Sequence, residues 1–589
     1  MRKRALGFVA LGAASALLLS ACGGDGGGDG GGGGSADVAY DQGTTEIVNP
    51  SDQQGGTLRY AISADFDSPD PGNTYYGFSW NFSRYYARTL LAYNSEPGEA
   101  ATELVPDLAV DLPESNDDGT EWTVEIKEGL TYEDGSEIVA EDIKYAIARS
   151  NFGDQALPNG PKYFSDLLAD SDDYEGPYAN ASDPLAGFGG VETPDDHTLV
   201  FHLSKPFSEF PYILIQPQTA PVPAEADTGE QYQSHVLSSG PYKFDGDYEP
   251  GSHLNLVRNE EWDPESDPVR PALPDRVTVE LGVEQNEIDQ RLVNGELDVD
   301  LGGTGLGPAM KGQVVTDDSQ KPYLDNPPTG ALRYFNVNTV VEPLDDLACR
   351  QAIMYAADHE AIQRAWGGEI GGEIPTQIMP PQLPGADDSI DLYPSEDNQG
   401  DADKAREKLE ECGEDDGFST GLGVRGDRPT EVAAAEALQQ SLSEVGIDIN
   451  IEQYPSDTFT NTQAGSPDFV HDNEMGLSVY GWIPDWPSGY GFMSKIVDGD
   501  SIVDAGNSNI SELDDPEINE LFDQVVETED PAERSEIYSQ IDRLVMENAA
   551  ILPGVFEKSV TYRPENLTNV YFHAGYAMYD YMALGTTNE

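Results

Sequence analysis

The segment Gly481-Trp482-Ile483-Pro484-Asp485-Trp486-Pro487-Ser488-Gly489 sets one carboxylate between two of the chain's six tryptophans, with a proline on each side. Indole rings are flat, rigid surfaces that can hold varied side chains, a cation or a sugar face. A carboxylate among them suits recognition of a positive group. The plain alternative is that Trp482 is core and Asp485 an exposed turn residue, with Pro484 and Pro487 shaping the turn.

The rest of the chain offers no catalytic or metal-binding pattern. There is no GxxxxGK[ST] phosphate loop, no HExxH and no GxSxG elbow. Gly302 to Gly307 (GGTGLG) follows a strand-like stretch, but Pro308 breaks the GxGxxG spacing, so a loop is expected. His197 and His202 are five apart in an apparent strand, which points them to opposite faces. The acidic run Asp397 to Glu411 misses the calcium-loop pattern and reads as a solvated helix start, where acids are favourable. No metal and no cofactor are expected. A secreted hydrolase would need a nucleophile beside a positioned base, and no motif supplies one.

Of the 589 residues, 31 are Lys or Arg and 109 Asp or Glu, a formal net charge of -78. With 38% hydrophobic and 9% aromatic residues the chain is globular, and the acidity belongs to its surface. The length allows about four ~150-residue units or fewer larger lobes. So negative a field excludes nucleic acid and anionic lipid surfaces as partners, both of which need a basic footprint. Screening should relieve the self-repulsion, so stability is expected to rise with added salt.

Residues 1–21 carry a basic start (Arg2, Lys3, Arg4), an apolar run from Ala5 to Leu19 and small residues before Cys22, the parts of a secretory signal. The apolar run is too short and too rich in Ala and Gly for a comfortable membrane span. Leu19-Ser20-Ala21-Cys22 resembles the bacterial lipobox, in which the cysteine is diacylated and becomes the mature N-terminus. The glycine-rich stretch that follows, with residues 22–54 as a whole, reads as a tether with a reach of roughly 30 Å. Membrane attachment would be through that lipid alone. Two further cysteines, Cys349 and Cys412, are a disulfide candidate in an exported chain; two unrelated thiols are the alternative.

Alternating apolar residues predict strands at Glu121 to Glu128, Thr198 to Leu203, Arg276 to Leu281 and Gly446 to Tyr454. Ala435, Leu438, Leu442 and Val445 share a helix face that stops at Gly446. Asp345 and Asp346 can cap a helix bearing Ala348, Ala352 and Ala356. Ile518 to Val525 and Ile537 to Val545 predict two amphipathic helices, the second closed by Pro553. Strands dominate the earlier half and alternate with helices in the later half, an α/β pattern with more than one lobe.

Leu104 to Arg149 resembles the signature region of the family 5 extracellular solute-binding proteins of ABC transporters, the oligopeptide, dipeptide and nickel class. The matched elements run in order: Val105-Pro106-Asp107-Leu108-Ala109, Asp118-Gly119, the strand at Trp122, Gly129-Leu130, Asp134-Gly135 and Ala140-Glu141-Asp142. Ser238 to Phe244 (SSGPYKF), Leu256 to Pro264 (LVRNEEWDP), Leu292 to Val299 (LVNGELDV) and Tyr334 to Ile362 continue the resemblance.

The resemblance implies a two-lobed class II periplasmic-binding-protein fold with an extra subdomain on the first lobe. Residues 55–90, 191–321 and 551–589 would form the first lobe, 91–190 the extra subdomain and 322–550 the second lobe. Arg333 to Asn338 and Ile551 to Phe556 would be the hinge. It implies a monomer that closes on a peptide and delivers it to a permease and an ATPase, with Asp485 of Gly481-Trp482-Ile483-Pro484-Asp485 pairing with the ligand's α-ammonium. Trp482 and Trp486 would be cleft walls, joined by Tyr334 at the crossing and by Tyr76 from the aromatic cluster Asn73 to Trp80. An oligosaccharide or another small solute, or a peptide sensor not coupled to import, are alternatives on the same fold. After Asp485 the chain leaves the family pattern, which often continues with a second acid or an Asp-Pro.

Overall fold

Leu58 and Tyr60 alternate with Thr57 and Arg59, and this period of two puts one face of strand Thr57–Ile62 into a core. In the computed structural model, which describes residues 41–588 apart from 154, 155, 170, 172 and 173, that strand lies inside a five-stranded sheet. Its neighbours are Arg276–Leu281 and Val299–Asp300, both parallel to it, and His253–Arg258 and Tyr242–Phe244 extend the sheet antiparallel. Leu567, Val570, Tyr581 and Leu584 from the chain's end complete this first-lobe core. The expected signal, Cys22 and most of the tether lie outside the described residues.

The extra subdomain is built on a four-stranded antiparallel sheet in which Glu121–Glu125 pairs with Thr198–His202, and Thr198–His202 with Val191–Asp195. The expected boundary at residue 190 therefore cuts a sheet, and the subdomain continues through His202. Helix Ala140–Asn151 covers it, and the side chain of Asp142 accepts from the backbone N–H of Val139 at 3.1 Å.

The second lobe carries a six-stranded mixed sheet in the order Gly372–Glu373, Ile551–Lys558, Pro328–Val337, Leu477–Trp482, Ser419–Arg425, Asp448–Tyr454. Pro429–Ser443 and Asp448–Tyr454 form the expected helix-to-strand unit, with Gly446 between them at φ +94°. Asp346 caps helix Leu347–Ala356 through the N–H of Ala348 at 2.8 Å. Cys349 on that helix and Cys412, at the end of helix Ala402–Cys412, are joined by a disulfide with their Cα atoms 5.6 Å apart.

Three expectations change. Arg333 to Asn338 and Ile551 to Phe556 pair with each other inside the six-stranded sheet, so neither is a free connection. The chain instead passes between lobes where Leu324–Asp325 pairs antiparallel with Thr561–Tyr562, a two-stranded ribbon of four residues. The last long helix ends at Glu547, with Ala549 at φ +50°, while Pro553 lies within the next strand beside a register shift. Residues from Asp41 onward are docked, not tether: Asp41 N–H donates to Leu324 O at 2.9 Å, Gly43 N–H to Asp325 Oδ1 at 2.9 Å, and Val48 bridges Val570. Among the described residues, no helix is long and apolar enough to cross a membrane.

Candidate ligand-binding site

Asp485 sits in the link between strand Leu477–Trp482 and helix Gly489–Val497. Ser488 caps that helix by accepting the N–H of Gly491 at 2.9 Å, and the N–H of Asp485 donates to Gly491 O at 3.1 Å. The link is thus tied to the first turn of the helix, and the carboxylate projects from a fixed backbone.

Two hydroxyls reach that carboxylate from other parts of the fold. Tyr75, just before helix Gly77–Ser83 of the first lobe, donates to Oδ1 at 2.6 Å, and Tyr163, at the start of helix Tyr163–Leu167 of the extra subdomain, donates to Oδ2. First lobe, subdomain and second lobe therefore meet on one side chain. Among the described residues no cation forms an ion pair with it. Burial pushes the Asp485 carboxyl above its ordinary value, and the hydroxyls of Tyr163 and Tyr75 only partly offset this. Burial and the adjacent Asp485 charge raise both tyrosines, so they remain donors.

Asp485 also lines a cavity whose walls include Trp80, Arg84, Tyr93, Arg270 and Tyr576 from the first lobe and its surroundings. A carboxylate thus shares one space with two guanidiniums and three aromatic side chains. Such a mixture of apolar wall and a few polar groups is the usual make-up of a small-molecule site.

The other residues expected at the site fall in different surroundings. Trp482 is partly buried, stacks on Tyr480 with ring centroids 6.5 Å apart, and its Nε1 has no hydrogen-bond partner among the described residues. A side chain at Gly481 would meet the guanidinium of Arg333, which pairs with Glu557 at 3.0 Å, so a larger residue here would have to displace that arginine. Tyr334 is fully buried against Tyr480 at 6.0 Å, and its hydroxyl also lacks a partner among the described residues. Tyr76 is 51% exposed and packs on Phe78; from its cluster it is Trp80 that lines the cavity and Tyr75 that touches Asp485.

Trp486 is 3% exposed and does not line the cavity. Its Nε1 donates to Glu209 Oε2 at 2.6 Å, and Glu209 also accepts from Ser488 at 2.6 Å and from Tyr538 at 2.7 Å. Glu209 precedes helix Phe210–Ile213, whose Phe210 packs on Trp122 and Phe201 of the subdomain. Here Trp486 fastens the second lobe to the other side of the cleft.

Sequence reasoning missed Tyr163, Glu209, Arg84 and Tyr576. Only Arg84 carries a local signal, one helical turn after Trp80 in a chain poor in basic residues.

Residues 103–503 match the family model described as bacterial extracellular solute-binding proteins, family 5, middle region. A probable D,D-dipeptide-binding periplasmic protein, DdpA, of Escherichia coli K12 is 24% identical over 510 residues, 84% of this chain and 87% of its own. The periplasmic oligopeptide-binding protein OppA of Salmonella typhimurium is 23% identical over 459 residues, 74% of this chain and 77% of its own. Among solved structures, clavulanic acid biosynthesis oligopeptide binding protein 2 superposes with a TM-score of 0.90 at 41% identity, covering 94% of this chain and 99% of that one. The Helicobacter pylori periplasmic binding protein DppA, in complex with the peptide STSA, does so at 0.68 and 18% identity, covering 91% and 99%. These relatives are binding proteins of transporters, not enzymes. With more than half of the chain inside the family model and its two-lobed fold shared, the chain belongs to the bacterial extracellular solute-binding proteins of family 5.

Proposed function

We propose that this solute-binding protein captures di- or oligopeptides between its lobes and delivers them to an ABC permease, held to the outer face of a bacterial membrane by a lipid on Cys22. The observation that carries the ligand reading is Asp485, a carboxylate held where three parts of the fold meet and, among the described residues, paired with no cation. Enclosing a charge without a partner costs on the order of 3–5 kcal/mol, whereas a charge-assisted hydrogen bond to an ammonium contributes about 1.5–3 kcal/mol. Tyr75 and Tyr163 satisfy its lone pairs but supply no charge. A peptide's free amine would.

Ligand that bridges the lobes favours their closed arrangement, and that arrangement is what a permease can distinguish from the open one. ATP hydrolysis then belongs to the partner ATPase, in keeping with a chain that has no phosphate loop motif. The names of two relatives, for D,D-dipeptides and for oligopeptides, support peptide-like cargo. The anchor rests on Leu19-Ser20-Ala21-Cys22, and Cys22→Ser should release the protein from the membrane fraction.

Asp485→Asn tests the ligand reading. It should weaken binding of peptides with a free amine about 10- to 100-fold while leaving their N-acetylated forms little changed. Equal losses for both, measured by isothermal titration, would remove Asp485 from the anchor role.

A further inference from the structure

We propose that Arg84 is the anchor for the solute's carboxylate, so that the cavity takes a short zwitterion with its ammonium on Asp485 and its carboxylate on Arg84. This rests on the reading of the Asp485 cavity as the ligand site.

Arg84 follows helix Gly77–Ser83, is 5% exposed and lines the same cavity as Asp485. Only one of its three nitrogens is engaged. Nη1 donates to Asp580 Oδ1 at 2.8 Å and to Asn81 Oδ1 at 3.0 Å, while Nε and Nη2 have no hydrogen-bond partner among the described residues. The guanidinium carbon lies 4.5 Å over the Tyr576 ring, which fixes the plane of the group. Nε–H and the adjacent Nη2–H are parallel donors on one edge of the fork, spaced to meet both oxygens of a carboxylate.

Native proteins pair nearly all their buried donors, so a guanidinium with one whole edge unused is informative. Arg270, lining the same cavity, shows the contrast. Its Nε donates to Arg84 O at 2.9 Å, Nη1 to Asp267 Oδ2 at 3.1 Å and Nη2 to Asp107 Oδ2 at 2.7 Å, so every nitrogen is occupied. Asp107 and Asp267 thereby neutralise Arg270 and Arg88. Arg84 has Asp580 alone, and Asp580 is shared with the hydroxyl of Tyr571 and the N–H of Met582.

The acid comes from the second lobe and the base from the first. A solute bearing both opposite charges engages both groups as the lobes meet; one lacking the ammonium leaves Asp485 without a cation, and one lacking the carboxylate leaves the Nε and Nη2 donors of Arg84, already paired with Asp580 through Nη1, unused. Free amino acids and short peptides with uncapped ends fit this pattern; amidated or acetylated ones do not.

The test is isothermal titration of the full chain with a set of di- and tripeptides, each in free, N-acetylated and C-amidated forms. Amidation should weaken binding about 10- to 100-fold. Arg84→Lys, which keeps the charge beside Asp580 but loses the two-donor edge, should abolish most of that difference. Amides that bind as tightly as free peptides, while acetylation still costs affinity, would overturn the Arg84 assignment and leave the peptide reading standing. A difference that survives Arg84→Lys would also overturn it. No binding by any form would sink both. Independently of any variant, a crystal structure with the tightest free peptide should place carboxylate oxygens on Nε and Nη2, and a carboxylate elsewhere ends the proposal.

Discussion

Trp486 Nε1 lies 2.6 Å from Glu209 Oε2, a bond between residues 277 positions apart that fastens the second lobe across the cleft. Ser488 and Tyr538 donate to the same carboxylate, and Arg534 Nε stands 3.8 Å from it. Trp486→Phe keeps the ring against Tyr163 and Phe207 but removes the donor. Hydrogen bonds to charged groups contribute about 1.5–3 kcal/mol, so solute affinity should fall about 10- to 100-fold. Small-angle scattering should show a larger radius of gyration for the ligand-free variant. Unchanged affinity and scattering would mean the contact does not hold the lobes together.

Acid should weaken capture. Binding an ammonium needs Asp485 ionised, and burial raises its carboxyl above the 3.8 ordinary for an aspartate. As pH falls through that raised value the anchor becomes neutral, so affinity for free-amine peptides should drop at a higher pH than for an ordinary aspartate. In the ligand-free protein the sign is opposite, since ionising an enclosed, unpaired carboxylate works against the lobes meeting. Titrations over a pH series should show this slope in the natural protein and not in Asp485→Asn.

Asp580 predicts a pH effect on stability. Burial pushes its carboxyl up, but Arg84 and His573 outweigh burial and hold it at about 2. Because the folded value is depressed, the contribution is present above the unfolded value of 3.8 and is lost as pH falls toward about 2. Asp580→Asn would also leave Arg84 buried without its partner, at a cost of about 3–5 kcal/mol. Calorimetry should show a lower Tm at neutral pH and a shallower acid slope for the variant.

Reduction of the Cys349–Cys412 bond should lower stability more than function. The bond closes a loop with a sequence separation of 63, for which chain entropy gives about 4 kcal/mol. Neither residue lines the Asp485 cavity. Thermal unfolding with and without reductant should show the loss, and the peptide Kd below the transition should stay within about twofold. A large change in Kd on reduction would tie this helix pair to the cleft.

How far the sequence could be read depended on the range of the interactions. Strands such as Arg276–Leu281 and helices such as Leu347–Ala356 were legible because apolar spacing and a capping Asp346 act over a few residues. The Gly481 to Asp485 segment stood out for the same reason, and it does present a carboxylate at the meeting of the lobes. Its neighbour Trp486 looked equivalent, yet it turns to Glu209 and becomes part of the clasp. Nothing near Tyr163 or Glu209 in sequence announces partners that are 322 and 277 residues away. The crossings were misplaced because the strands Pro328–Val337 and Ile551–Lys558 look like connections until their pairing is seen.

The docked segment from Asp41 has a mechanical consequence. It is pinned to Leu324 and Asp325 of the ribbon where the chain passes between lobes and to the adjoining Asn326, and Asp325 in turn holds Arg563, next to the returning strand, and Tyr579. A leash fixed to the rim of a moving jaw would be dragged through every cycle of capture and release. Here the docked segment meets the body beside the axle, where displacement is smallest, so under the proposed attachment through Cys22 the jaws would swing without hauling on the membrane.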